Sequence, residues 1–89
     1  MAMIRSKAHA RAIGYDDGEE SVEVACRENG TQVVAVWSAD GWDDNAINAG
    51  VASIRGVPAR WKRAYYQGYA AGARSAHAET CRAVTICAE

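Results

Sequence analysis

Phenylalanine is missing from this chain, and proline occurs once, at Pro58. A core without phenylalanine must take its bulk from Trp37, Trp42, Trp61 and the tyrosines, while nineteen alanines and eight glycines imply thin elements packed close together. The core should therefore be small. No stretch approaches the roughly 18 apolar residues of a membrane-crossing helix. The first residues, Met1-Ala2-Met3-Ile4-Arg5, lack the apolar centre of a secretory leader, and Cys26, Cys81 and Cys87 are an odd number. A reducing cytoplasm with free thiols is the expectation. No internal repeat, low-complexity tract or long linker is evident, so residues 1–89 read as a single small domain.

The motifs of chemistry are missing too. His9 and His77 stand in no catalytic pattern, and His77, Cys81 and Cys87 lack the paired CxxC spacing of a zinc site. Gly68 and Gly72 are set in a helical pattern, without the strand-to-helix turn and Lys-Ser/Thr of a phosphate loop. These absences point away from an enzyme and leave no cofactor or metal to expect.

What is present centres on Arg60–Ala78, which reads as one helix. At 3.6 residues per turn Trp61, Tyr65 and Tyr69 stack along one line, beside a line of Ala64, Gly68, Gly72 and Ala76. Each helix-interior glycine costs about 1 kcal/mol relative to alanine, so two of them imply that something packs into the small-residue groove. Either a neighbouring element of the same chain or a second copy in a homodimer would fill it. Trp61, Ala64, Tyr65, Gly68, Tyr69 and Gly72 are the helix-packing or dimer candidates.

Upstream, Ser6 can cap a short helix through Ile13, although the alternation His9, Arg11, Ile13, Tyr15 also suits a strand. Tyr15–Glu20 reads as a turn by its Asp17-Gly18 pair. Ser21–Ser38 reads as an antiparallel β-hairpin, because two β-rich runs flank Asn29-Gly30, the pair preferred in a type I′ turn. Asp43 or Asp44 should start a helix running to about Arg55, with Ile47, Val51 and Ile54 as its apolar stripe. Thr80–Cys87, rich in β-branched residues, reads as a third strand. The expected fold is α+β, in the order (α)ββααβ.

Charge is segregated. Asp16 to Asp44 holds nine acidic residues against Arg27 alone, whereas Asn45 to Ala78 holds five basic residues and no acidic one. Asp16, Asp17, Glu19 and Glu20, with Asp40, Asp43 and Asp44, form an acidic patch able to imitate a phosphate backbone. Arg60, Lys62, Arg63 and Arg74, with Tyr66 for stacking, form the alternative surface, one for nucleic acid.

The segment Gly68-Tyr69-Ala70-Ala71-Gly72-Ala73-Arg74-Ser75 resembles the Gly-Tyr-x-Ala-Gly…Arg-Ser stretch of ribosome modulation factor proteins, which bind ribosomes. It covers under a tenth of the chain and lacks the Cys-Pro that follows in that family. In style, a short, alanine-rich, charge-segregated chain is similar to the accessory proteins of phages and mobile elements, anti-CRISPR proteins among them. That resemblance implies stoichiometric inhibition of a host nucleoprotein without catalysis. The expected function is therefore a non-enzymatic inhibitor or adaptor of a protein or ribonucleoprotein complex, acting through the acidic patch. The alternative is a nucleic-acid- or ribosome-binding module using the basic face.

Overall fold

The structure, a computed structural model, describes residues 4–38, 41–42 and 57–88. Three helices carry most of them: α1 (Lys7–Asn29), α2 (Thr31–Ala35) and α3 (Lys62–Ala88), the last entered through a single 3₁₀ turn at Ala59–Trp61; Gly41 and Trp42 are helical as well. The segment expected to form the Asp43–Arg55 helix lies outside the described residues.

Ser6 starts α1 as a capping residue should. Its backbone is extended and its Oγ accepts the His9 N–H at 3.0 Å, a cap worth about 1 kcal/mol. The helix then runs through Gly14 and Gly18 without a break. It ends at Gly30, whose φ of 93° lets its N–H turn back to the Cys26 carbonyl at 2.9 Å.

The α+β reading is overturned: among the described residues all regular structure is helical, with no strand and no sheet. The hairpin over Ser21–Ser38 is instead the last turns of α1, a helix-ending glycine and the short α2. Both readings need positive φ at Gly30, so the Asn29-Gly30 pair did not discriminate between them. Burial does, since Val22 is 2% exposed and lies one helical turn beyond the buried Gly18, in line with Ala10 and Gly14. The third strand is corrected for a similar reason. Thr80 Oγ1 donates to the Ala76 carbonyl at 3.0 Å, and Thr80–Cys87 continues α3 without a break.

Helices α1 and α3 run side by side in the same direction. Gly14 faces Tyr65 and Gly18 faces Tyr69; Gly68 faces Arg11 and Gly72 faces Tyr15. Further along, Cys26 Sγ lies 4.0 Å from Thr80 Oγ1. Residue numbers rise together on both helices, which only a parallel pair allows. The backbones touch: a Cβ at any of the four glycines would overlap a carbonyl oxygen of the other helix. Such an approach lies inside the ~8–10 Å usual between helix axes, and it requires small-xxx-small spacing on both partners.

The contact has an internal two-fold. Shifting by the 54 positions that separate Cys26 from Thr80 carries Ala10, Gly14, Tyr15, Gly18 and Ser21 onto Ala64, Gly68, Tyr69, Gly72 and Ser75, each identical. The same shift exchanges the contacts, so that Gly14 on Tyr65 becomes Gly68 on Arg11. The chain thus contains a repeat that its low identity had hidden. The two helices form a nearly self-complementary pair.

A small core caps one side of this pair. Val34 of α2 is fully buried and Trp42 is 2% exposed; both join Val22, Tyr65, Tyr69 and Ala73. The side chains of α3 hold α2 by its carbonyls. His77 Nε2–H donates to Val34 O at 2.9 Å and the Cys81 thiol donates to Ala35 O at 3.2 Å, satisfying groups that a helix C-terminus leaves open.

Candidate functional site: a charge-segregated surface around the helix pair

By helical phase from the buried Ala10, Gly14, Gly18 and Val22, Asp16 and Glu20 stand on the side of α1 turned away from α3, and Glu19 and Glu23 stand on its flank. Asp16, Glu20 and Glu23 are exposed and spaced by one helical turn, with Glu19 half-buried beside them. Among the described residues none of these four carboxylates takes part in an ion pair or a side-chain hydrogen bond; the ion pair seen is Arg82 with Glu79, 3.0 Å apart and exposed. Asp17 is different. It accepts the Tyr65 hydroxyl at 2.6 Å, tying α1 to α3, so this member of the expected patch serves the fold. Burial, then the neighbouring Asp17 carboxylate, push the Tyr65 phenol well above its ordinary pKa. Asp40, Asp43 and Asp44 lie outside the described residues. Glu23, placed in a strand by the sequence reading, belongs to the acidic strip; the i, i+3 and i+4 spacing of Asp16, Glu19, Glu20 and Glu23 was the signal.

The basic residues gather elsewhere. Because the helices are parallel, Arg5, Lys7 and Arg11 at the start of α1 share one end of the molecule with Arg60, Lys62 and Arg63 at the start of α3. Two helix N-termini point the same way there, adding their positive partial charge. The Arg60 guanidinium lies 4.3 Å from the centre of the Trp61 ring. Arg74 is exposed further along α3, and Tyr66 is half-buried with its ring edge on Tyr65 at 6.2 Å. The sequence reading missed Arg5, Lys7 and Arg11, since only the parallel arrangement brings them to Arg60–Arg63.

The helix-packing candidates are brought together. Ala64, Tyr65, Gly68 and Tyr69 are buried, Gly72 meets the Tyr15 backbone, and Trp61 is half-buried at the entry to α3. The groove of small residues is filled by α1 of the same chain, which leaves no room in it for a second copy.

One cleft stands out, about 710 Å³, between the C-terminal halves of α1 and α3. Of its lining, Val22, Cys26, Ala76 and Thr80 are buried or half-buried and form the floor; Glu19, Glu23, Arg27 and Glu79 form the walls, and Thr31, the first residue of α2, borders one end. On the opposite side His77 is 5% exposed, its ring 5.8 Å from Trp42, and the Trp42 indole N–H finds no acceptor among the described residues. Cys26 and Cys81 are free thiols. Among the described residues no group of three or more His, Cys, Asp or Glu is placed to hold a metal, and no helix is long and apolar enough to cross a membrane. The chain matches no family model, no curated protein and no solved structure.

Proposed function

We propose that this protein is a non-enzymatic binding protein, a stoichiometric inhibitor or adaptor that engages a protein or nucleoprotein complex in the cytoplasm through the acidic strip of α1. The observation that carries the reading is the strip itself: Asp16, Glu20 and Glu23 exposed in successive turns, flanked by Glu19, with no cation among the described residues paired to them. A helical line of carboxylates with no partner among the described residues favours encounter with a basic surface and fixes its register. The disposition of the other polar groups supports a binding role over catalysis. His77 and Cys81 are spent on the carbonyls of α2, and Asp17 on Tyr65.

The experiment is charge reversal. Asp16→Lys, Glu20→Lys and Glu23→Lys together, in a tagged chain with unchanged helical circular dichroism, should abolish capture of the partner from native cells. Undiminished capture would remove the strip from consideration.

A second reading is favoured by the basic end. Arg5, Lys7, Arg11, Arg60, Lys62 and Arg63 at paired helix N-termini suit phosphate, as nucleic acid or ribosome binding requires. A nucleoprotein offers both chemistries, phosphate to the basic end and basic protein to the strip. Gel-shift titration against RNA at low and raised salt tests this end. Binding that weakens steeply with salt supports it, and absence of a shift at low salt refutes it.

A further inference from the structure

The pseudo-two-fold axis makes two equivalent grooves along the helix pair, and the described residues fill only one of them. On the filled side α2 lies against α3, its carbonyls held by His77 and Cys81 and its Val34 side chain fully buried. Shifted by 54 positions, His77 and Cys81 of α3 correspond to Glu23 and Arg27 of α1; Ser21 and Ala25 of α1 correspond to Ser75 and Glu79 of α3. Those four counterparts, Glu23, Arg27, Ser75 and Glu79, all line the open 710 Å³ cleft. The cleft is thus the mate of a groove that already accepts a short helix.

We propose that the open cleft docks a short helical segment of a partner protein, which inserts one apolar side chain onto Val22 and Ala76 and sets a lysine or arginine against Glu19 and Glu23. This rests on the acidic-strip reading above and adds the form of the partner. Two features select that occupant. The floor is apolar where Val34 enters on the filled side, and the walls carry three carboxylates against Arg27, one of the three, Glu79, being shared with Arg82. The stem of a long cationic side chain can lie on the apolar floor while its head reaches the carboxylates. A second copy inserting its own α2, Thr31-Gln32-Val33-Val34-Ala35, would bring no cation and does not fit the walls.

The probe is a fluorescein-labelled, alanine-based helical peptide bearing one valine with an arginine one turn to either side, and a control peptide with citrulline for arginine. Titrated by fluorescence anisotropy against the full chain, the arginine peptide should bind, and the citrulline peptide at least tenfold more weakly. Ser75→Trp fills the cleft without altering its charge and should weaken the arginine peptide tenfold or more; Glu23→Gln should weaken it several-fold. Amide shifts on titration should cluster at Val22, Cys26, Ala76, Thr80 and Ala83. Three results would overturn the cleft: no binding by the arginine peptide, shifts confined to the α2 side, or wild-type affinity in Ser75→Trp. If Ser75→Trp is silent while Asp16→Asn with Glu20→Asn abolishes capture of the native partner, the cleft falls and the acidic strip stands. Both fall together if neither change matters.

Discussion

Replacing Gly68 with alanine sets two effects of opposite sign against each other. Within a helix the change is favourable by about 1 kcal/mol, because alanine loses less backbone entropy than glycine. Across the interface it is unfavourable, since the new Cβ would overlap the Arg11 carbonyl oxygen and close on Tyr15 N at 3.0 Å. These are backbone atoms, which cannot rotate aside, so the helices must part by more than about 1 Å to regain ordinary contact distance. A gap of that size forfeits about half or more of each dispersion contact along the seam, which sets the cost near the upper end of the ~1–3 kcal/mol typical of overpacking. The net expectation is a loss of about 2 kcal/mol. For a domain of this size that corresponds to a fall in Tm of roughly 8–16 °C by circular dichroism. Gly41→Ala is the control: it is an exposed helical glycine with no neighbour within 4 Å, and should leave Tm unchanged or raise it. Gly14→Ala combined with Gly68→Ala should cost less than the two single changes added, because the separation forced by one makes room for the other. A Gly68→Ala protein as stable as the parent would refute the close approach.

Tyr65 gives a pH prediction. Its folded pKa is raised above the unfolded value of about 10, so the folded state holds the phenolic proton more tightly. That contribution to stability is complete below about pH 10 and is lost as pH rises through the folded value. Urea unfolding followed from pH 8 to 11 should show stability falling at the alkaline end, and Tyr65→Phe should flatten the slope while costing about 1 kcal/mol at pH 8 through the lost Asp17 bond. An unchanged slope would contradict the assignment. His77→Ala leaves the Val34 carbonyl without its side-chain donor and should cost about 1–3 kcal/mol, with faster amide exchange in α2; Cys81→Ser keeps a donor toward Ala35 and should cost less.

Much of α3 could be read from its residues, and much of α1 could not, for one physical reason. In Arg60–Ala78 the aromatic line Trp61, Tyr65 and Tyr69 marks the helical period, and the small residues beside it identify the packing groove. In α1 the packing face is Ala10, Gly14, Gly18 and Val22, side chains so small that they leave almost no apolar periodicity to detect. Interior glycines then resemble turns, and Val22, Val24, Val33 and Val34 resemble strands. What makes these glycines helical is the other helix, whose close approach offsets their cost and which a local window does not contain. The internal repeat went unread likewise, since the two helices are identical only at Ala10, Gly14, Tyr15, Gly18 and Ser21 and their counterparts, too few to stand out in the sequence. The acidic strip was half legible: Asp16, Glu19 and Glu20 stand out by composition, but recruiting Glu23 and removing Asp17 required helical phase and the Tyr65 contact.

The relative direction of the two long helices determines everything built on them, from the two-fold seam to the basic end and the open cleft. Spin labels at Lys7→Cys and Lys62→Cys, both exposed at helix starts, with the native cysteines changed to serine, report it through one distance distribution. Parallel helices place the labels at the same end, within about 20 Å. A distribution centred near 35 Å, the length of the 23-residue α1 at about 1.5 Å per residue, would mean that the helices run in opposite directions and would contradict the seam.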